Sequence, residues 1–205
     1  SSAGALVTGL YAGGVDPDAM RDVLARLRRE DFWDPGLGVG LLRGRRFRAM
    51  LDELVARRSI GDARVAWAAS VYDLRRRRTE VLRTGELAAA IHASCALPGL
   101  FHPVRVGDAL YSDGGIADRP GVLGVPEGAR CLHHHLTSRS PWRAVGSVAM
   151  EHPRRAGMVS VGLQGLTRVT PFALERGMRA WDEAARGMRR ALDALRSVEV
   201  PERHV

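Results

Sequence analysis

The sequence of 205 residues predicts an α/β domain, in which helices alternate with short strands. Apolar residues recur at helical spacing in several segments, and short runs rich in β-forming residues lie between them. The composition, 45% hydrophobic and 26% charged, is that of a globular protein. No stretch reaches the ~18 apolar residues that a membrane-spanning helix requires, and no internal repeat or linker occurs. A single domain over residues 1–205 is therefore expected.

The N-terminal part of the chain is predicted to contain three helices. Residues Ala3–Ala12 are small and apolar, and two glycines follow them as a helix stop. Asp16 and Pro17 are typical of an N-cap followed by the first residue of a second helix. The glycine-rich stretch 35–44 predicts a loop, and an amphipathic helix is expected from Phe47 to about Arg58.

The period of the apolar residues then changes from that of helices to that of strands. Strands are predicted at Arg64–Asp73 and Thr79–Leu82, with the arginine run Arg75–Arg78 as the tip of a hairpin. A helix is expected from Glu86 to Ala96, because the sequence Pro98-Gly99 would end it.

The remaining elements are two pairs of strand candidates and one long helix. Pro103–Val106 and Ala109–Tyr111 flank a Gly-Asp turn and predict a second hairpin. Cys131–Leu136 and Met158–Leu163 are further strand candidates, and Phe172–Leu195 predicts a long amphipathic helix. Helices and short strands thus alternate along the whole sequence, as the α/β class requires.

The charge and the cysteine content narrow the environment in which the chain works. The net charge is +8, but all 31 basic residues are arginine, a usage typical of biased genome composition rather than of phosphate recognition. We therefore expect a solvated arginine-rich surface and no nucleic-acid partner, while peripheral contact with an anionic membrane stays open. Two cysteines and an opening without a secretory signal favour a reducing, cytoplasmic location.

Two short motifs contain the residues with catalytic potential. Ser1–Ala5, with the sequence SSAGA, resembles the second half of a G-x-S-x-G nucleophile elbow, in which small neighbours allow a tight turn into a helix. A serine that merely caps a packed helix would have the same sequence. Asp113 precedes two glycines, a pattern that also occurs in ordinary turns.

Considered together with Ala93–Val104 (ASCALPGLFHPV), these motifs closely resemble patatin-like phospholipases, especially the compact bacterial branch related to neuropathy target esterase. That family has a G-x-S-A-G-A elbow, an A-S-x-A-x-P-G-x-F-x-P-V segment and a D-G-G or D-G-A triplet, in this order. The resemblance extends through Arg64–Gly85 and fades after about Gly128. It implies a three-layer α/β/α fold with a mostly parallel central sheet.

The resemblance further implies a Ser-Asp dyad that hydrolyses a lipid or another acyl ester through an acyl-enzyme. Ser2 would be the nucleophile and Asp113 the proton acceptor. The unperturbed pKa of an aspartate is only ~3.9, so Asp113 would have to be partly desolvated and within hydrogen-bond reach of Ser2. No metal ion or cofactor is expected, and the oligomeric state is left open.

Four small residues would support this dyad. Ala3 and Gly4 complete the elbow, and the amide of Ala3 at the start of the helix is a candidate donor to an oxyanion. Gly114 and Gly115 would let the backbone turn tightly after Asp113.

Other assignments remain open on the sequence. A Ser…Asp…His triad would use His133, His134 or His135, and these histidines with Cys131 could also form a metal site, although adjacent strand residues rarely converge on one ion. Asp73 is expected to be structural.

The sequence also departs from the family pattern at its start. The family's upstream strand, its glycine-rich oxyanion loop and the first elbow glycine have no counterpart before Ser1, and the chain does not open with Met. The expectation is an N-terminally truncated patatin-like domain. The alternative function is a catalytically inactive patatin-derived domain that binds lipid surfaces or a partner.

Overall fold

The computed structural model of the protein describes residues 1–136 and 153–199. They fall into two compact units, Ser1–Pro126 and Glu127–Val205. That both units belong to one domain stays a prediction. No helix in the described part of the chain has both the length and the apolar character needed to cross a bilayer.

The first unit contains three helices, a two-stranded hairpin, a fourth helix and a second hairpin, so it combines helices and strands as predicted. Short 3-10 turns at Arg29–Asp31, Ile60–Asp62 and Gly114–Ile116 lie between the main elements. In chain order, the helices and strands of this unit are α1 (Ala3–Ala12), α2 (Pro17–Arg26), α3 (Arg45–Leu54), β1 (Ala69–Asp73), β2 (Arg78–Leu82), α4 (Leu87–Ser94), β3 (Val104–Val106) and β4 (Ala109–Asp113).

The four strands form one sheet in the order β2-β1-β4-β3, and every pair in it is antiparallel. The expectation of a mostly parallel central sheet, which came from the family resemblance, is therefore wrong for this sheet. The physical reason is local. Both β1–β2 and β3–β4 are hairpins with short connections, and such connections join only antiparallel strands. In the central pair, Val71 of β1 stands opposite Asp113 of β4.

Helix α4 is the centre of the core, because all eight of its residues are buried. It contacts helices α1 and α3 and strands β1, β3 and β4 of the sheet. Alanine, the commonest residue of α4, allows these close approaches. At the α1 contact, a Cβ on Gly9 would lie 2.6 Å from two side-chain carbons of Ile91. The predicted helix 86–96 is confirmed, with ends trimmed by one and two residues.

The β1–β2 hairpin is closed by a buried aspartate, as expected for a structural Asp73. Its Oδ1 accepts hydrogen bonds from the amides of Arg75 and Arg76, at 2.8 and 2.9 Å. These bonds and the nearby guanidinium of Arg76 hold the pKa of Asp73 below its ordinary value. The predicted arginine tip is confirmed, because the turn lies between β1 and β2.

Two predicted elements are shorter than the sequence suggested. Strand β1 begins at Ala69 rather than Arg64, and α3 ends at Leu54 rather than near Arg58. In the intervening segment the backbone bonds to other parts of the chain: the amides of Ala56 and Arg57 donate to the Gly13 carbonyl, and that of Arg64 donates to Ala12. Such non-local pairing has no signature in the local apolar pattern.

The second unit contains strands β5 (Cys131–Leu136) and β6 (Met158–Leu163), which pair in parallel, and helix α5 (Gly177–Glu199). Both strands have the predicted bounds. The long helix starts five residues later than predicted, because Leu174–Arg176 forms a 3-10 turn before it.

We expect Gly9→Ala to lower the free energy of unfolding by about 1–3 kcal/mol, because the new Cβ would crowd Ile91 and the Trp67 ring. Urea denaturation followed by circular dichroism measures the change. Gly4→Ala in the same helix is the matched control, since its Cβ would meet no atom within 4 Å. The higher helix propensity of alanine should raise stability there by up to about 1 kcal/mol. Equal shifts in both variants would contradict the close packing of α1 on α4.

Candidate active site

Ser2 has the backbone conformation that a nucleophile elbow requires. It precedes α1 with φ 51° and ψ −127°, one of two non-glycine residues with positive φ in the described part of the chain. A backbone strained in this way costs about 1–3 kcal/mol and persists only where neighbouring contacts enforce it. The serine side chain itself is only partly buried.

The structure brings Ser2 and Asp113 together, although 111 residues separate them in the chain. Ser2 Oγ donates a hydrogen bond of 2.7 Å to Asp113 Oδ2. Asp113 is the last residue of β4, and its side chain is only 2% exposed. The carboxylate therefore meets the hydroxyl at the end of a central strand, beside the N-terminus of α1.

A third residue, Ser94 at the end of α4, holds the strained elbow. The amide of Ser2 donates to Ser94 Oγ at 3.1 Å, and the Ser94 hydroxyl donates in turn to the Ser70 carbonyl of β1 at 2.8 Å. Ser94 is fully buried. Sequence analysis did not single out this residue, although the resemblance included it as the serine of the A-S-x-A-x-P segment.

Asp113 is positioned by its own backbone and by the glycines that follow. Its amide donates to the Ala96 carbonyl at 2.9 Å, and the amide of Gly115 donates to Asp113 Oδ1 at 2.7 Å. A Cβ on Gly114 would overlap the Ser70 carbonyl oxygen, so only glycine fits at this close approach. Gly114 thus allows the close approach to β1, and the Gly115 amide binds the carboxylate; that they support a catalytic aspartate stays a prediction.

Burial changes the acid-base properties around the pair. Desolvation raises the pKa of Asp113, while the hydrogen bonds from Ser2 and Gly115 partly oppose the rise. Burial also raises the pKa of the Cys95 thiol to about 12. This thiol donates to the Ser2 carbonyl at 3.3 Å, so it is a packed donor and not a thiolate nucleophile.

A second buried Ser-Asp pair lies nearby and is structural. Ser70 Oγ donates to Asp118 Oδ2 at 2.6 Å, and both side chains are buried. The amides of Val122 and Leu123 donate to the two carboxylate oxygens of Asp118. This carboxylate closes a loop, and its serine is too buried for a substrate to reach. Exposure and backbone strain therefore distinguish Ser2 from Ser70.

The start of α1 offers backbone donors beside the Ser2 hydroxyl. Ala3 is the first helical residue, and the first amides of a helix point out of its N-terminus without an intrahelical acceptor. The amide of Gly4 donates to the Ser1 carbonyl at 3.0 Å. Of the two predicted elbow residues, Ala3 therefore has the amide better suited to an oxyanion.

The three histidines of the alternative triad lie in the second unit, on β5. His133 is buried and His134 exposed, as alternation along a strand requires, and the rings of His133 and His135 stack at 6.1 Å. His133 Nδ1 is 3.4 Å from Ser160 Oγ on β6. Within residues 1–136 and 153–199, no group of three or more His, Cys, Asp or Glu side chains could hold a metal ion.

A groove of about 620 Å³ lies apart from this pair, between α2 and α3. Apolar and charged residues of both helices line it, and its lining includes neither Ser2 nor Asp113. Its volume therefore contributes nothing to the assignment of the site.

Comparison with known proteins gives a matching family model and several similar sequences. A family model described as patatin-like phospholipase matches residues 1–125. Uncharacterised NTE family proteins of Mycobacterium bovis and of two strains of Mycobacterium tuberculosis are 32% identical to the chain over 127 residues. The match covers 58% of this chain and 34% of each relative, so the chain spans about a third of the length of the curated relatives it matches.

We expect Ser94→Ala to lower the free energy of unfolding by about 1–3 kcal/mol, because the Ser2 amide loses its acceptor and the Ser70 carbonyl a donor. Thermal or urea denaturation measures the loss. Ser112→Ala is the matched control: Ser112 Oγ donates to the Ala96 carbonyl, which keeps the Asp113 amide after the change. A loss in Ser112→Ala as large as in Ser94→Ala would contradict the special role of Ser94.

Proposed function

Because the chain belongs to the patatin-like phospholipase family, we propose that it is a serine lipid acyl hydrolase with Ser2 as nucleophile and Asp113 as proton acceptor. The observation that carries the proposal is the 2.7 Å hydrogen bond from Ser2 Oγ to Asp113 Oδ2. The strained, partly exposed position of Ser2 at a helix N-terminus supports it further.

The proposed reaction has two steps, and in each step Asp113 takes up one proton and returns it. Ser2 Oγ attacks the carbonyl carbon of the ester while its proton passes to Asp113 Oδ2. The negative charge on the carbonyl oxygen is stabilised by the Ala3 amide and the positive end of α1. Collapse releases the alcohol, which takes the proton from Asp113, and leaves an acyl-enzyme on Ser2. Water then attacks this ester through the same proton acceptor and releases the fatty acid.

The buried state of Asp113 explains how a carboxylate can act alone. An ordinary aspartate, with a pKa of ~3.9, is a weak base near neutrality. Desolvation raises the pKa of Asp113 and makes its charged form more basic toward the serine proton. The Gly115 amide keeps Oδ1 occupied, so that Oδ2 faces the hydroxyl.

The substrate class follows from the family at the level of fatty-acyl esters. Phospholipase A, lysophospholipase and carboxylesterase activities all use the same acyl chemistry and differ in the alcohol that leaves. Leu97, about half exposed directly after Ala96, is a candidate for an acyl-binding wall. Phe101 instead packs against Phe47 and His92 in the core. Short-chain soluble esters should serve as artificial substrates.

We expect a fluorophosphonate probe to label the chain at Ser2, with labelling absent in Ser2→Ala. Asp113→Asn should lower the labelling rate by about 100- to 10,000-fold, because the hydroxyl loses its base. Ser1→Ala and Ser70→Ala are the matched controls, one adjacent to Ser2 and one in the structural pair. The series is made in the 205-residue chain and in any longer gene product that contains it.

Other outcomes of this labelling experiment select other functions. If labelling survives Asp113→Asn and disappears when His133, His134 or His135 is replaced, a triad operates in place of the dyad. If no form is labelled while all remain folded, the hydrolase proposal is wrong. The domain would then act as an inactive relative that binds lipid or a partner, an alternative favoured by the net charge of +8.

We expect the labelling rate to fall on the acid side with a midpoint above ~3.9, because protonation of Asp113 removes the base and its pKa is raised. Labelling rates across the acid range, with circular dichroism at each pH, measure this midpoint. A raised folded-state pKa means that folding favours the protonated carboxyl, so titration of Asp113 does not itself unfold the chain. A midpoint at or below ~3.9 in folded protein would contradict Asp113 as the base.

A further inference from the structure

The loop that precedes α3 displays apolar side chains to solvent. Leu37 is 98% exposed and Val39 82% exposed, and Leu41 in the same loop is also exposed. Isolated exposed apolar residues are common on protein surfaces. Leu37 and Val39 lie two residues apart at the tip of one loop. Neither side chain belongs to the hydrophobic core or to the Ser2–Asp113 pair. We call residues 35–42 the apolar loop.

Hydrogen bonds at its base and along one side hold the apolar loop in a defined conformation. The Gly36 amide donates to the Leu41 carbonyl at 3.1 Å and closes the loop on itself. Leu41 and Leu42 donate to the carbonyls of Gly99 and Leu100, at 3.0 and 2.7 Å. His102 Nε2 bonds to the Gly40 carbonyl at 3.0 Å. The tip is therefore presented on an ordered stem.

The stem joins the apolar loop to the proposed dyad. The segment that pairs with it, 97–102, begins directly after Ala96, and the Ala96 carbonyl accepts the hydrogen bond of the Asp113 amide. Leu97, on this segment, is half exposed. The apolar loop and Asp113 are thus both hydrogen-bonded to the chain segment 96–102.

Taken together, the sequence segments on both sides of the apolar loop carry net positive charge. Residues 28–48 contain six arginines and three acidic residues. One of the acids, Asp34, binds the start of α3, where its carboxylate accepts hydrogen bonds from the amides of Gly44, Arg45 and Arg46. Arg43 and Arg45 follow the loop and are exposed. The surface thus combines the apolar tip with these two exposed arginines, Arg43 and Arg45, which we call the cationic collar.

We propose that the apolar loop docks the protein on an anionic lipid bilayer, with Leu37 and Val39 in the interface and Arg43 and Arg45 on headgroup phosphates. This combination of apolar insertion and cationic attraction is what peripheral membrane surfaces use. A protein partner fits less well, because stable protein interfaces bury about 1,200–2,000 Å² and a two-residue tip supplies little of that. The inference rests on the proposed function only for its purpose, the delivery of lipid to Ser2.

The test measures partition of the full chain onto vesicles, with Ser2→Ala in the background so that no lipid is hydrolysed. Vesicles of phosphatidylcholine with added phosphatidylglycerol are compared with vesicles of phosphatidylcholine alone, by co-sedimentation. We expect the double variant Leu37→Asp, Val39→Asp to bind anionic vesicles at least about 10-fold more weakly, since the tip loses its apolar surface. Leu123→Asp is the control, because Leu123 is an exposed leucine elsewhere in the same unit.

The cationic collar is tested separately. Arg43→Glu, Arg45→Glu should weaken binding to anionic vesicles by about fivefold or more per arginine, with little effect on neutral vesicles and less effect at high salt. Arg77→Glu, on the β1–β2 turn, is the matched control. A Leu37→Trp variant whose fluorescence is quenched by brominated lipid, where Leu123→Trp is not, would place the tip inside the bilayer.

Several results would overturn the proposal. It fails if the parent chain binds no vesicles, or if the tip and control variants bind equally. It also fails if the tip variants only change self-association in sedimentation velocity, because the occupant is then a second copy of the chain. Hydrolysis of a soluble short-chain ester, measured with Ser2 restored, reports the proposed function separately. Tip-dependent vesicle binding without hydrolysis would overturn that function alone, and hydrolysis with tip-independent binding would overturn only this inference.

Discussion

The candidate site depends on the hydroxyl of Ser94, which links three elements at one point. It accepts the amide of Ser2 ahead of α1 and donates to the Ser70 carbonyl of β1, while Ser94 itself ends the buried helix α4. The positive-φ conformation of Ser2 is strained and persists where surrounding contacts enforce it. Three such contacts meet at Ser2: Ser94 Oγ accepts its amide, Asp113 accepts its hydroxyl, and the Cys95 thiol donates to its carbonyl. Helix α4 ends two residues before Ala96, whose carbonyl accepts the Asp113 amide.

Two Ser-Asp pairs in one unit show how environment assigns different roles to the same chemistry. The carboxylate of Asp118 is used by backbone amides and a buried hydroxyl, so it organises a loop. The carboxylate of Asp113 has one oxygen held by Gly115 and the other directed at a hydroxyl that a substrate can approach. Desolvation raises the pKa of Asp113 in this position. A carboxylate with a raised pKa is a better proton acceptor than one whose pKa is lowered by an ion pair. The apolar loop is held against the segment that follows Ala96, so the proposed membrane contact and the proposed chemistry share one stretch of backbone.

Much of the local structure could be predicted from the sequence. Helix α1 and strands β5 and β6 have the predicted bounds, and the two hairpins turn where glycine, aspartate and the arginine run indicated. These features depend on neighbouring residues, whose spacing and turn preferences are visible in the chain. The mostly parallel sheet was wrong, because it was inferred from the family and not from the hairpins, which already required antiparallel pairs. The segment before Ala69 was mistaken for strand because its backbone partners lie far away in the sequence.

The sequence by itself determined which residue types were available for the site: a serine among small residues, an aspartate before two glycines, and their order along the chain. Only the tertiary structure decided that Ser2 and Asp113, 111 residues apart, lie within one hydrogen bond, and that Ser94 accepts the Ser2 amide. It also decided that the buried carboxylate of Asp113 lies beside a partly exposed hydroxyl, whereas the carboxylate of Asp118 closes a loop. The physical reason is that distance and desolvation are set by everything that packs around a group, and most of those neighbours are remote in sequence. Local spacing records the identity of a side chain but not its surroundings.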